Sequence, residues 1–74
     1  MKRFNSKAAY QALNEQRIAR ELSWREVAEQ INISVGTMTR LKNGGRMEVD
    51  GMLALVDWLG VSVENFVVDV PNRD

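Results

Sequence analysis

The chain has 74 residues, 45% of them hydrophobic, and its ten basic and ten acidic side chains give a formal net charge of zero. A chain this short buries only about 60% of the surface that its unfolded form exposes, so we expect one domain over residues 1–74 with a small core and no deep substrate cleft. The sequence contains no Cys and no His, which excludes disulfides, thiolate nucleophiles and the commonest metal ligands, and its apolar runs are far shorter than the roughly 20 residues that cross a bilayer.

The first predicted element is an amphipathic helix over roughly residues 6–21. Ala9 and Leu13, followed by Ile18 or Ala19, recur at helical spacing and mark one apolar face. We expect this face to pack on the core.

The second predicted element is a short helix that begins with a capping box at Ser23 and Glu26. The Ser hydroxyl is placed to accept from the backbone N–H of Glu26, and the Glu carboxylate is placed to accept from the N–H of Ser23. The helix is predicted to end near residue 31, and its buried face is formed by Val27, Ala28 and Ile31.

The third predicted element is a helix that follows after a short turn. Asn32 tolerates the left-handed conformation that ends a helix, and Ser34 is a favourable N-cap for a helix that runs to about Lys42. Residues 43–45, Asn-Gly-Gly, are a strong stop signal. Two helices at this spacing are typical of a helix-turn-helix, whose second helix enters the DNA major groove.

A fourth helix is predicted to begin at residues 48–50 and to end at Gly60, with an apolar face formed by Met52, Leu55, Val56 and Leu59. Ser62 is placed to cap a fifth helix over about residues 63–67. The predicted fold class is therefore all-α, with five short helices and the helix-turn-helix in helices two and three.

The two ends of the chain are predicted to be irregular. A strand-like alternation of apolar and polar residues is found only at residues 66–70, and residues 69–74 are expected to form a frayed tail. Residues 1–6 are expected to belong to a flexible basic arm formed by Lys2, Arg3 and Lys7. The arm either wraps into an adjacent DNA groove or serves only as a soluble end.

Several short segments occur in the order and spacing of a known family. They are residues 22–28 (Leu-Ser-Trp-Arg-Glu-Val-Ala), 33–41 (Ile-Ser-Val-Gly-Thr-Met-Thr-Arg-Leu), 43–44 (Asn-Gly) and 59–62 (Leu-Gly-Val-Ser), together with Leu13 and Arg17. In this combination the chain resembles the lambda-repressor-like family, which includes phage repressors, Cro and the XRE regulators. The resemblance runs without a gap from about residue 13 to residue 66. It implies a sequence-specific regulator of transcription that binds double-stranded DNA, of the phage or bacterial repressor kind, in the cytoplasm.

The resemblance also implies roles for particular residues. The helix over about residues 34–42 would enter the major groove, and its base-contact candidates are Val35, Gly36, Thr37 and Arg40. Among them Arg40 is the best base reader, because a guanidinium donates to both O6 and N7 of guanine. The phosphate-contact candidates are Trp24, Arg25, Ser34, Thr39, Lys42, Asn43, Arg46 and the backbone N–H groups of Gly44 and Gly45.

Three of these positions leave alternatives open. Trp24 stands where the family usually has a phosphate-binding Gln, and its indole either donates to phosphate or packs in a partly buried position. Thr39 contacts phosphate or bonds back along its own helix. Lys42 stands where many relatives have a Glu that pairs with the residue at Arg17, so the expected ion pair becomes a like-charge pair that phosphates or Glu21 would relieve.

Charge is unevenly distributed along the chain. Residues 1–20 carry a net charge of +4 and residues 35–46 carry +3, whereas residues 21–34 carry −2 and residues 47–74 carry −5. Such asymmetry is typical of a domain with one side facing nucleic acid, although small soluble proteins also scatter their charges.

The C-terminal region is the expected dimer interface, as in the family. A homodimer on DNA would place two reading helices about 34 Å apart on a two-fold operator. The interface candidates are Trp58, Val63, Phe66, Val67 and Val68, although Trp58 and Phe66 also suit a role in closing the small core.

Two other function classes compete with a DNA-binding regulator. A protein-interaction module or antitoxin with weak DNA binding is favoured by the poor hydrogen-bonding capacity of Val35 and Gly36 and by the acids in residues 47–50. An enzyme is disfavoured, because Ser34 and Ser62 have no His to activate them and are better explained as helix caps. We therefore expect no catalysis, no metal, no cofactor and no membrane association.

Overall fold

The computed structural model describes residues 1–71. In chain order its elements are strand β1 (Lys2–Phe4), helices α1 (Ser6–Ala19), α2 (Trp24–Ile31), α3 (Val35–Lys42) and α4 (Val49–Leu59), a 3-10 helix (Val63–Phe66) and strand β2 (Val67–Asp69). The mainly helical class is as predicted. The count of five α-helices is not, because the fifth is a single 3-10 turn that leads directly into a strand.

The predicted helix ends are confirmed where capping residues set them. Ser23 and Glu26 form both bonds of the capping box at the start of α2. Asn32 ends α2 in the left-handed region at φ 66°, and Gly60 ends α4 in the same region at φ 73°. Ser62 caps the 3-10 helix by accepting a hydrogen bond from the N–H of Glu64 at 3.3 Å.

One cluster of buried side chains joins the four helices and the 3-10 helix. Its members are Ala9, Leu13, Val27, Ala28, Ile31, Met38, Leu41, Met47, Leu55, Val56 and Phe66. The prediction that Ile18 or Ala19 continues the buried face of α1 is wrong. Both are exposed, Ile18 at 61%, because the last turn of α1 lies beyond the core.

The chain ends meet in a small antiparallel sheet that the sequence analysis did not predict. Strand β1 pairs with β2, with Arg3 opposite Val68 and Phe4 opposite Val67. The Nζ of Lys2 lies 2.9 Å from the Oδ2 of Asp69, so an ion pair links the two strands.

The sheet corrects the expected flexible arm and part of the expected frayed tail. Its backbone pairing continues to Val70, whose N–H donates to the C=O of Met1 at 2.7 Å. The ring of Phe4 packs edge-on against that of Phe66, with centroids 5.9 Å apart, so the arm is joined to the core. Residues 72–74 of the predicted tail lie outside the described residues.

Within residues 1–71, no helix combines the length and the apolar character that a bilayer-crossing segment requires.

Candidate nucleic-acid interface

The connection between α2 and α3 is short and held by hydrogen bonds. It consists of residues 32–34, and the N–H of Ile33 donates to the C=O of Ala28 at 2.9 Å. Ser34 begins α3, and its hydroxyl accepts from the N–H of Thr37 at 3.1 Å. A connection of this length with a cap at each side is the arrangement of a helix-turn-helix.

Helix α3 has a buried face and an exposed face. Met38 and Leu41 anchor it in the core at 3% and 1% exposure. The residues of the other face, all exposed, are Val35, Gly36, Thr39, Arg40 and Lys42. The cations of α3, Arg40 and Lys42, therefore point away from the core.

Hydroxyl groups at the start of α3 bond to one another and to the helix backbone. The Oγ of Ser34 and the Oγ1 of Thr37 lie 2.9 Å apart. One of the two hydroxyls must donate to the other, which leaves one proton of the pair for an external acceptor. The hydroxyl of Thr39 donates to the C=O of Val35 at 3.3 Å, so its proton is used within α3.

Trp24, the first residue of α2, is half-buried in a stack of side chains. Its ring lies nearly parallel to that of Tyr10, with centroids 4.6 Å apart and an angle of 14° between the planes. The guanidinium carbon of Arg17 lies 5.0 Å from the Trp24 ring centroid. The packing alternative for Trp24 therefore holds, and the stack still leaves the ring partly open to solvent.

Arg17 is held by polar partners other than an acid. Its Nη2 and Nε donate to the Oδ1 of Asn14 at 2.8 and 3.1 Å, and its Nη1 donates to the C=O of Leu22 at 3.1 Å. These bonds replace the ion pair that many relatives make, so Glu21 is not needed to relieve Arg17. Lys42 is exposed.

The end of α3 corrects two of the predicted phosphate donors. The N–H of Gly44 donates to the C=O of Leu41 at 3.0 Å, and the N–H of Gly45 donates to the C=O of Arg40 at 2.8 Å. Both groups satisfy carbonyls that the helix end leaves without partners, so neither is free to donate to phosphate. The neighbouring side chains of Asn43 and Arg46 are exposed.

The loop after α3 also receives the start of α1. Ser6 is 5% exposed, and its hydroxyl donates to the C=O of Gly45 at 2.7 Å. The side chain of Lys7 lies against Gly44, because a Cβ on Gly44 would be 3.0 Å from the Cε of Lys7. Sequence reasoning missed Ser6, since a single Ser at a helix start carries no signal of burial.

A groove of about 390 Å³ separates β1 from this loop. Arg3 and Arg46 both line it, together with the buried Met47 and the half-buried Phe4. The structure thus brings two candidate cations that are remote in sequence to the same side of the molecule, through folded strand pairing and not through a flexible arm.

A second groove of about 320 Å³ lies between the helix-turn-helix and the start of α4. Thr37 and Arg40 line one part of it, and Glu48 and Asp50 line another. The acids of residues 47–50 therefore lie beside α3, on the side of α4.

A family model described as a Cro/C1-type helix-turn-helix DNA-binding domain matches residues 12–72, which is most of the chain. The chain belongs to this family. The matched residues begin in the second half of α1 and include α2, α3, α4, the 3-10 helix and β2. The family identifies DNA as the partner of the chain. Comparisons with curated proteins and with solved structures gave no significant match.

The C-terminal candidates of this Cro/C1-type domain differ in their exposure. Phe66 is 8% exposed and belongs to the core, the alternative role expected for it, and Val63 is half-buried. Val67 and Val68 in β2 remain 37% and 39% exposed.

Trp58 is occupied by contacts within its own chain. Its indole N–H donates to the Oε1 of Gln30 at 2.8 Å. The guanidinium carbon of Arg20 lies 4.1 Å from the Trp58 ring centroid. These contacts connect the end of α4 to α1 and α2, as expected of a residue that closes the small core.

The start of α2, next to Trp24, carries a titrating group with a shifted pKa. The backbone N–H of Ser23 donates to the Glu26 carboxylate at 3.0 Å, and this bond, helped by the Ser23 side chain, lowers the pKa of Glu26 from its ordinary value of 4.5. Glu26 therefore serves the helix cap and stays charged at neutral pH.

Residues 1–71 contain no group of three His, Cys, Asp or Glu side chains arranged to hold a metal.

Proposed function

We propose that this domain is a sequence-specific transcriptional regulator of the phage or bacterial repressor kind, and that α3 is its recognition helix in the major groove. The observation that carries the proposal is the division of α3 into two faces. Met38 and Leu41 fix the helix to the core, while Arg40 and Lys42 are exposed on its other side. A helix held in this way presents cations to a polyanionic groove without any rearrangement.

Arg40 is the proposed reader of a guanine. Its aliphatic stem lies against Gly45, since a Cβ on Gly45 would be only 2.5 Å from the Cγ of Arg40. This contact restricts the side chain before DNA arrives, and a restricted guanidinium loses less conformational freedom on binding. Thr37, which lines the same groove, is the proposed second base contact.

The proposed phosphate contacts surround α3. Lys42 and Arg46 lie at its end, Arg25 and the Trp24 indole lie at the start of α2, and the free proton of the hydroxyl pair lies at the start of α3. Cationic contacts of this kind position the domain on DNA without reading its sequence. Lys7 and Arg3 extend the same cationic edge toward β1.

The acids beside α3 support one orientation on DNA. Glu48 and Asp50 line the groove that Arg40 shares, so a phosphate strand passing on that side would meet like charge. The DNA backbone is therefore expected to follow the side of Lys42 and Arg46, and the groove between Arg40 and Glu48 is expected to face bases.

We also propose that the domain binds DNA as a homodimer in the bacterial or phage-infected cell. Val67 and Val68 are exposed on β2, and a two-stranded sheet leaves one edge of each strand without a partner. Strand β1 carries Lys2 and Arg3, so pairing of two β1 strands would bring like charges together, whereas β2 carries two valines and one acid, Asp69.

The second candidate function is a protein-interaction module or antitoxin that uses the same fold. The acidic side of the Arg40 groove favours it, because those carboxylates weaken attraction to phosphate. Val67 and Val68 would then contact a different protein.

A mobility-shift titration with random-sequence duplex DNA at two salt concentrations separates the two functions. Because each neutralised phosphate contributes about −0.9 to the log–log salt slope, roughly four to six contacts predict strong binding at low salt that is largely lost at a few hundred millimolar. Absence of binding at low salt would exclude the regulator. Size measurements with and without DNA then give the number of subunits in each complex.

A further inference from the structure

Among the five glycines, Gly36 is the one that has neither a positive φ nor a crowded position within the described residues. Gly44 and Gly60 have positive φ values of 79° and 73°, which favour glycine. Gly45 and Gly51 are crowded, because a Cβ there would be 2.5 Å from Arg40 and 3.0 Å from Met47.

The surroundings of Gly36 are open by comparison. Within residues 1–71, a Cβ at position 36 would meet only the Oγ of Ser34, at an ordinary contact distance of 3.7 Å. Gly36 lies in the first turn of α3 in a regular helical conformation, where Ala is a much better helix former. Its missing side chain therefore lowers helix stability and is not needed by the fold.

The residue before Gly36 is a large apolar side chain that the core does not bury. Val35 is 54% exposed at the start of α3, although it is a large apolar side chain. Val35 and Gly36 are adjacent and both exposed at the start of α3, and neither has a side-chain group that can donate or accept a hydrogen bond. In the major groove the one apolar group that a base pair presents is the C5 methyl of thymine.

We propose that Gly36 is the point of closest approach between α3 and DNA, and that the surface of Val35 and Gly36 selects a thymine through its C5 methyl group. The inference rests on the proposed regulator function and names a base and two residues within it. The missing Cβ lets the helix backbone come close to the base edge, and Val35 covers the methyl from the side.

The test combines a variant that adds a methyl to the protein with DNA that lacks one. Sequences selected from a random pool by the parent domain give the binding site. Each thymine of that site is then replaced singly by deoxyuridine, which removes only the C5 methyl. The parent and Gly36→Ala are titrated against every duplex, and the Tm of both proteins is measured without DNA.

Gly36→Ala is expected to raise the Tm by about 4–8 °C, since Ala favours the helix and has space in the free protein. It is also expected to weaken binding to thymine DNA by about tenfold or more, the range of a lost base contact. At one thymine of each half-site, deoxyuridine is expected to weaken the parent by about fourfold, the loss of one buried methyl. The same replacement is expected to restore affinity to Gly36→Ala, because it makes room for the added Cβ.

Each failure has a separate meaning. A parent that binds no duplex contradicts the proposed function itself. Unchanged affinity of a folded Gly36→Ala overturns the close approach while leaving the regulator intact. Equal weakening of Gly36→Ala on thymine and deoxyuridine DNA overturns the thymine assignment. Gly36→Ser is the second variant, and its Cβ is expected to weaken binding in the same way.

Discussion

The stem of Arg40 packs on Gly45 so closely that a Cβ at position 45 would lie 2.5 Å from the Cγ of Arg40 and 3.1 Å from its backbone oxygen. Gly45, in the loop after α3, thus helps to set the direction of Arg40, the residue proposed to read a base. A backbone oxygen cannot move aside as easily as the end of a side chain. Gly45 therefore both forms part of the turn after α3 and leaves space for the stem of Arg40.

Gly45→Ala is expected to lower the stability of the domain by about 1–3 kcal/mol and to weaken DNA binding, because Arg40 must leave its position. Gly51→Ala is the matched control, since the nearest atom to its new Cβ is the flexible Cε of Met47 at 3.0 Å. Thermal melts and DNA titrations of both variants check the prediction. Equal effects of the two substitutions would contradict a specific link between Gly45 and Arg40.

Lys42→Ala is expected to weaken binding to all DNA sequences by a similar factor. It should also reduce the magnitude of the log–log salt slope by about 0.9, the value for one lost phosphate contact. Arg20→Gln is the control, because it removes an equal charge from a side chain that stacks on Trp58. Titrations at several salt concentrations check this. An unchanged slope for Lys42→Ala would remove Lys42 from the interface.

Trp24→Phe separates the observed packing role of the indole from its proposed contact with phosphate. The smaller aromatic ring keeps a stacking surface for Tyr10 and Arg17 but has no N–H. We expect a Tm close to that of the parent and uniformly weaker DNA binding. Circular dichroism melts and titrations on two unrelated duplexes measure both. Parental affinity in Trp24→Phe would mean that Trp24 only packs.

Leu55→Ala is expected to destabilise the domain by about 2–5 kcal/mol, because Leu55 is fully buried in the core cluster. That is a large share of the stability of so small a domain. Leu53→Ala, in the same helix at 52% exposure, is expected to change stability by only about 0.5 kcal/mol. Urea unfolding of the pair distinguishes them, and similar midpoints would show that the core assignment is wrong.

Glu26 predicts a pH dependence of stability. Its pKa is lowered in the folded domain, so its contribution is fully present above the ordinary pKa of 4.5 and is lost as the pH falls through the folded value. Glu26→Gln keeps a capping side chain without the charge and is expected to flatten the decline of Tm below about pH 4.5. Glu29→Gln, an exposed position of the same helix, is the control. An identical acid profile for Glu26→Gln and the parent would contradict the linkage.

Features that depend on neighbouring residues could be predicted from the sequence. The caps at Ser23, Ser34 and Gly60 follow from local hydrogen-bonding and backbone preferences, and the family resemblance identified the helix-turn-helix. The pairing of β1 with β2 could not be predicted in the same way. The alternation at residues 66–70 indicated a strand near β2, but β1 has only three residues and no such pattern, and the pairing joins opposite ends of the chain.

The candidate site was also only partly predictable. The exposure of Arg40 follows from the helical period of α3, since Met38 and Leu41 fix which face is buried. The use of the Gly44 and Gly45 N–H groups depends on the conformation of the helix end, which the residue types alone do not specify. The stacking of Tyr10 on Trp24 depends on the packing of α1 against α2, which the residue types alone do not specify.

Selection of bound sequences from a random duplex pool, carried out in parallel with the parent and with Arg40→Ala, tests most directly whether α3 reads DNA. We expect the parent to enrich a two-fold symmetric site with half-sites about 34 Å apart, and Arg40→Ala to lose the preference for one guanine in each half while keeping the rest. An unenriched pool for the parent, or the same guanine in both selections, would contradict the assignment of α3 as the recognition helix and of Arg40 as its base reader.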